Sequence, residues 1–450
     1  MAEKSLRNFI IIWITQLLST LASTMTTFAV SVWVYQETGS ATLMAGTMTF
    51  YIAPFIISSF FAGPIIDKYS RKFTLAVSDS MAILGTLAIL ASFIYGRPSI
   101  VVIYAAAILN GIGGAFQWPA FASTISLMVP KQHISRANGL MSIKSSGPGI
   151  VGPIIAGALY PILGMSGILL IDIASCALAV SAILILPIPT PEKSKTGQAR
   201  KKQNIFRQAA FGFVYIFKRP ALFTIQLYFL VMNLFGGMAI ALTTPLVLAR
   251  TSGNAAALGS VRSAASAGML LAGLLMTAWG GFKKRTNGIL LGGFIIAFFG
   301  QLLFGIFASV PILLALSLLG TLGGPIANTS NQAIWQVVVP QDLQGRVFSA
   351  RRLIAWITQP LAPLLAGVLA DAVFEPAMLN SKSIAGRTLG GIFGNTAGSG
   401  TGLLVSLTGL IMVCVVVCYC FIPAFNNAEA RLDTELQAEL EAEAISRPVE

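Results

Sequence analysis

Four ionisable side chains lie inside otherwise apolar stretches of this 450-residue chain: Asp79, Lys144, Asp172 and Arg262. A charge at the centre of a lipid-facing helix costs about 3 kcal/mol, so each needs water or a partner. A carboxylate in such a place can carry a proton, which makes Asp79 and Asp172 the first candidates for proton coupling. Lys144 can contact an anionic substrate or pair with an acid, and Arg262, near a segment end, can snorkel. Uncharged polar residues recur seven apart, two helical turns, which puts each pair on one face. The pairs are Gln16 with Ser23, Asn110 with Gln117, and Gln226 with Asn233; Asn328, Asn331 and Gln332 form another stripe, with Trp335 a turn further. Amides, hydroxyls and aromatic rings suit an amphipathic organic molecule better than a simple ion. An enzyme would need a clustered catalytic set, whereas the single histidine, His133, and two scattered acids provide none. Cys176, Cys414, Cys418 and Cys420 leave little for a metal site or a disulfide framework. Neither cofactor nor metal is expected.

The elements that must position these groups are membrane helices. Apolar residues make up 55% of the chain and charged residues 10%, and the mean hydropathy is +0.80. A soluble globule carries about 25% charge, so most of this surface must face lipid. Spans of about 20 apolar residues are readable at 9–35, 42–66, 73–95, 99–128, 138–161, 165–188, 221–249, 256–279, 287–308, 310–338, 348–370 and 401–423. The expected fold is therefore an all-α membrane protein of twelve transmembrane helices. The net charge of +13 belongs to topology rather than to nucleic acid. With both termini in the cytoplasm, cytoplasmic segments hold 23 of the 29 Lys and Arg residues, Arg351 and Arg352 among them, and the opposite side holds five. A multi-pass protein of the cytoplasmic membrane is expected, its partners being the lipid bilayer and a small amphipathic substrate, and its state monomeric.

The chain also repeats itself at a shift of 210 residues. Gly113-Gly114 falls on Gly323-Gly324, Val129-Pro130 on Val339-Pro340, Arg136 on Arg346, Pro153 on Pro363, and Gln16-Leu17 on Gln226-Leu227. This divides the molecule into a six-helix bundle at 1–188, a basic linker with an amphipathic helix at 189–219, a second bundle at 220–423 and an acidic tail helix at 424–450. The segment from Asp371 to Gly400 reads as a glycine-rich loop on the outer side. Two related halves in parallel suggest a substrate site between them at mid-membrane, exposed to each side in turn by rocking.

The connection "GPIIDKYSRK" between the second and third spans resembles the signature loop of the major facilitator superfamily, with Gly63, Asp67, Lys68, Arg71 and Lys72 matching and Ser70 where glycine is usual. The resemblance implies a conformational latch: Gly63 lets two helices touch, and Asp67 faces a helix N-terminus or an arginine, worth roughly 0.3–2 kcal/mol. The stretch "GPGIVGPIIAG" resembles the glycine-proline motif of the superfamily's antiporters, with Gly147, Gly152, Pro153 and Gly157 matching. "QETGSAT", "VPKQHISRANG", "IDIASCALAVSAIL", "YIFKRPAL" and "VPQDLQGRVFS" are similar to the third drug–proton antiporter family, which includes macrolide-efflux and enterobactin-export proteins. The resemblance implies two pseudo-symmetric six-helix bundles. It places the first, fourth, seventh and tenth helices around the cavity, so Gln16, Ser23, Asn110, Gln117, Gln226, Asn233, Asn328, Asn331, Gln332 and Trp335 are expected there, with Lys144 at the wall. Asp79 and Asp172 fall on helices that are usually peripheral, where structural pairing competes with proton carriage. The expected function is secondary efflux of an amphipathic drug, macrolide, siderophore or peptide or polyketide product, driven by proton antiport. An importer, a lysophospholipid flippase of the same fold and a non-transporting scaffold are the alternatives.

Overall fold

The computed structural model describes residues 6–129, 134–187, 212–339 and 344–428, and among these there is no strand. Chain order gives α1 (Leu6–Thr38), α2 (Ala41–Lys68), α3 (Arg71–Ile94) and α4 (Ile100–Met128). The helical stretch Ile134–Ile185 breaks at Gly164, whose φ of 62° and ψ of −172° suit glycine alone. Its arms, residues 134–163 and 165–185, are α5 and α6. The second set comprises α7 (Pro220–Arg250), α8 (Ala255–Trp279), α9 (Arg285–Ile306) and α10 (Val310–Val338). A composite α11 over residues 344–379 and α12 (Ser399–Cys420) complete it.

Eleven apolar stretches are long enough to cross a bilayer among the described residues. One of them, Gly147–Ile185, has 39 residues and would extend about 58 Å, twice the thickness of a hydrocarbon core. The reversal at Gly164 makes it two crossings, so twelve helices traverse the membrane, as the hydropathy pattern requires. The expected loop from Asp371 to Gly400 is a correction. Helix α11 continues through a π-helical turn, Ala370–Phe374, to Leu379, and a further helix covers Ile384–Phe393. Glycine spacing misled there, because the segment's acids cap helices and hold it in shape. The basic linker and the acidic tail lie mostly outside the described residues, with residues 212–217 helical.

Two ends of the bundle need distinct names. The near end holds the α2–α3 and α10–α11 connections; the far end holds the α1–α2, α7–α8 and α11–α12 connections. Buried apolar side chains form three clusters. One lies at the far end and joins all twelve helices, with Phe28, Met44, Ile103, Ile168, Leu242, Leu258, Leu313, Ala366 and Leu404 among its members. The second is a near-end cluster of Phe9, Ile12, Leu75, Phe121 and Ile183, contributed among the described residues by α1, α3, α4 and α6. The third, also near, belongs to α7–α12 and the segment leading into α7, and holds Ile216, Tyr228, Trp335 and Phe425. Among the described residues, the halves thus share one interior at the far end and contribute to separate clusters at the near end.

Candidate transport cavity and its gates

Inside the first half, the polar stripe of α1 meets the two intramembrane acids. Asp79 on α3 is buried, and each of its oxygens accepts an amide hydrogen: Oδ2 from Gln16 Nε2 at 2.5 Å and Oδ1 from Gln117 Nε2 at 2.6 Å. Lys144 on α5 packs over the Phe121 ring at 4.7 Å. Asp172 on α6 is satisfied differently. Ser23 Oγ donates to Oδ1 at 2.8 Å, Thr86 Oγ1 to Oδ2 at 3.0 Å, and Cys176 Sγ lies 3.6 Å away. Two acids expected at the periphery therefore hold α1 against α3, α4 and α6. Gln16 is a correction: it is 0% exposed and faces Asp79 rather than a cavity. Seven-residue spacing identifies a face, and this face points into the bundle. Ser23, Asn110 and Gln117 are half-buried. Arg262, expected to snorkel, points inward instead, donating to Thr244 Oγ1 at 2.6 Å above the Phe28 ring.

The second half carries an open cavity of about 450 Å³ in its near portion, lined by Asn328, Thr329, Gln332, Ala333, Gln336 and Arg351. The α10 stripe divides along its two i, i+4 columns. Asn328 and Gln332 face the cavity, whereas Asn331 and Trp335 are buried, with Trp335 Nε1 donating to Asn331 Oδ1 at 2.9 Å. Asn331 and Trp335, expected at the cavity, therefore pack into the core here, where the indole N–H is satisfied by the amide. Gln226 is corrected likewise: it is buried and donates to the Arg351 backbone carbonyl at 3.0 Å. Asn233, half-buried, donates to the Ala355 carbonyl at 3.0 Å. These amides rivet α7 to α11. Arg351 was legible only as a topological charge. Its guanidinium donates to Gln332 Oε1 at 2.8 Å and sits 5.0 Å from the Trp335 ring and 6.0 Å from Phe348.

The far end is closed by contacts between the halves. The Asp371 carboxylate of α11 sits on the N-terminus of α2, accepting from Ala41 N at 3.0 Å, Thr42 N at 2.9 Å and Ser40 Oγ at 2.6 Å. Helix N-termini have unpaired N–H groups and partial positive charge, so an anion fits. Glu375, one turn on, caps α12 through Gly398 N, Thr401 N and Thr401 Oγ1. Part of the glycine-proline motif lies on this gate. A Cβ on Gly157 would lie 3.0 Å from the Ala255 carbonyl oxygen, and one on Gly259 would come closer still to Pro153 O. Pro153 has no N–H, so the Gly149 carbonyl lacks its usual helical partner. Ser266 Oγ of α8 fills it at 2.7 Å, and Ser263 Oγ donates to Ile150 O at 2.6 Å. Gly152 serves α1 instead, where a Cβ would meet Thr24 at 2.9 Å, and Gly147 has only Ile143 near it. Phe55 and Trp356, with rings 6.4 Å apart, mark how deep the closure runs.

The expected near-end latch is placed only in part. The side chains of Gly63, Asp67 and Lys68 lie outside the described residues. Ser70 is the N-cap of α3, its Oγ accepting from Phe73 N at 3.2 Å, which accounts for serine at the usual glycine position. Arg71 opens α3. Lys72 Nζ donates to the Leu184 and Leu186 carbonyls at 2.7 and 3.3 Å, neutralising the C-terminal end of α6 within its own half.

A sequence model of the Major Facilitator Superfamily matches residues 12–363. Macrolide efflux protein A of Streptococcus pyogenes is 24% identical over 377 residues, which is 81% of this chain and 90% of that protein. The multidrug efflux pump Tap of Mycolicibacterium fortuitum is 26% identical over 356 residues, 75% of this chain and 83% of that one. Among solved structures, a bacterial homologue of the human lysosomal transporter Spinster, inward-facing and unoccupied, superimposes with a TM-score of 0.65 at 17% identity, over 95% of this chain and 97% of that chain. The nucleoside transporter NupG does so with a TM-score of 0.61 at 12% identity, over 92% and 99%.

Proposed function

The chain belongs to the major facilitator superfamily, and from that premise we propose that it exports amphipathic small molecules from the cytoplasm by alternating access, coupled to inward proton movement. It is a transporter and not an enzyme. The observation that carries the reading is the distribution of the three cores among the described residues: one drawn from both halves at the far end, two drawn each from a single half at the near end. Two rigid bundles joined at one end only are the state expected of a rocking machine with its pocket open on the other side. The basic residues assign the near end to the cytoplasm, so this state is inward-facing and ready to load cargo. In this reading the two halves are residues 1–188 and 220–423, and the protein works as a monomer. Similarity to proteins named for macrolide and multidrug efflux supports an organic cargo moving outward.

Asp79 is the proposed proton carrier. Its amide partners come from α1 and α4, and the half-buried Gln117 reaches between the carboxylate and the space beside α4. Asp172, held by two hydroxyls and a thiol, is proposed as structural. The test is transport in vesicles of both orientations under an imposed pH gradient. Inverted vesicles accumulate an amphiphilic dye, and Asp79→Asn abolishes uphill accumulation while downhill exchange persists. Accumulation by right-side-out vesicles instead would make the protein an importer. An Asp79→Asn variant still pumping uphill would remove Asp79 from the coupling.

A further inference from the structure

The cavity wall of the second half is electrically one-sided. Between Pro220 and Ala370 the sequence contains a single carboxylate, Asp342, which precedes α11 and lies outside the described residues. The same stretch places Arg351 at the cavity. Its neighbour Arg352 is exposed, lies by the Trp356 ring and suffices as an interfacial topological charge. Arg351 is held more deliberately. Gln226 fixes its backbone carbonyl, Trp335 and Phe348 flank its guanidinium, and Gln332 takes one hydrogen bond. A single side-chain acceptor leaves most of the planar donor fork unused among the described residues. The remaining lining groups, Asn328, Thr329, Gln332 and Gln336, are neutral. A fixed guanidinium between aromatic rings, at the edge of a partly apolar cavity, matches a planar oxyanion attached to an apolar body.

Resting on the exporter reading, we infer that the cargo is an amphipathic organic molecule bearing a carboxylate, sulfonate or phosphate, and that Arg351 is the residue that binds this oxyanion. Gln332 orients the guanidinium, and Gln226 positions the turn that carries it. The neutral amides then accept or donate to the rest of the cargo.

The experiment uses the full chain in nanodiscs of neutral lipid and a matched probe pair, pyrenebutyrate and pyrenebutyramide, which differ in charge and share one body. Wild-type protein binds the acid at least about tenfold more tightly than the amide, the value expected of a charge-assisted hydrogen bond. In Arg351→Gln the ratio of the two affinities collapses to within about twofold of unity, and in Arg351→Lys it is intermediate, since charge remains but the fork is lost. A wild-type ratio near one, or an unchanged ratio in Arg351→Gln, overturns the assignment; so does an equal weakening of both probes. Pyrene-labelled lysophosphatidate is a third probe: tighter binding than pyrenebutyrate supports the oxyanion site and assigns it to a lipid head, and the reverse order assigns it to a small organic acid. Binding is read without transport. Failure of efflux in inverted vesicles therefore leaves the charge preference measurable, and loss of the preference leaves the direction of transport intact.

Discussion

Replacing Asp371 with alanine removes an anion that the second half lends to a helix of the first. The carboxylate receives two backbone N–H groups at the start of α2 and the Ser40 hydroxyl, all at 3.0 Å or less. Losing a helix cap costs about 0.5–2 kcal/mol, and losing an anion from a helix N-terminus costs roughly another 0.3–1. The bridge exists only while the far ends meet, so a loss of about 1–3 kcal/mol falls entirely on the closed state. The ratio of far-closed to far-open molecules then drops by about 5- to 150-fold. Met25 reports this change, being 4% exposed within the shared core. A Met25→Cys reporter is placed in a background where the four native cysteines are serine; Cys176→Ser retains a donor toward Asp172. A membrane-impermeant maleimide is added from the far side. Asp371→Ala raises the labelling rate by a factor in that range, and Ser40→Ala raises it by less. An unchanged rate in Asp371→Ala would show that the far end holds without this bridge.

Two further changes test the packing and the caps. Gly157→Val drives a side chain against the Ala255 backbone, so it keeps the far ends apart, raises Met25→Cys labelling and cuts transport at least about tenfold, whereas Gly147→Ala, with only Ile143 at 3.8 Å, alters both by less than about twofold. Ser70→Ala deletes the cap of α3 and lowers stability by about 0.5–2 kcal/mol, read as a fall in thermal or denaturant midpoint.

The spans were legible because twenty consecutive apolar residues have few other uses, and the α5–α6 pair was separable on length even where helical hydrogen bonding runs on past Gly164. Sites were harder for a definite reason. A seven-residue spacing says that Gln16 and Ser23 share a face, and nothing in the spacing tells a cavity from a buried acid on the next helix. Asp79 decided the matter, and it lies 63 positions away. On α10 the stripe was wide enough to span two columns, so half of it turned inward with Trp335. Arg351 was hidden by its own usefulness: a basic residue at a helix start already has an explanation in membrane topology. Asp371 was hidden among glycines, and no local pattern announces a cap whose helix lies 330 residues earlier.

The carbonyl that Pro153 leaves without a partner sets an unusual rule for the gate. The acceptors on α5, Gly149 O and Ile150 O, are backbone atoms, so side-chain replacement at 149 or 150 cannot delete them. Mutational scanning of α5 would pass over this contact, although it ties the two bundles together. Its strength is adjustable from α8, where serine, threonine or alanine at 263 and 266 would tighten or relax the seam, and on α5 only through Pro153, whose replacement would return an N–H to Gly149 O. Divergent members could in this way retune how readily the periphery opens without altering the helix that bends.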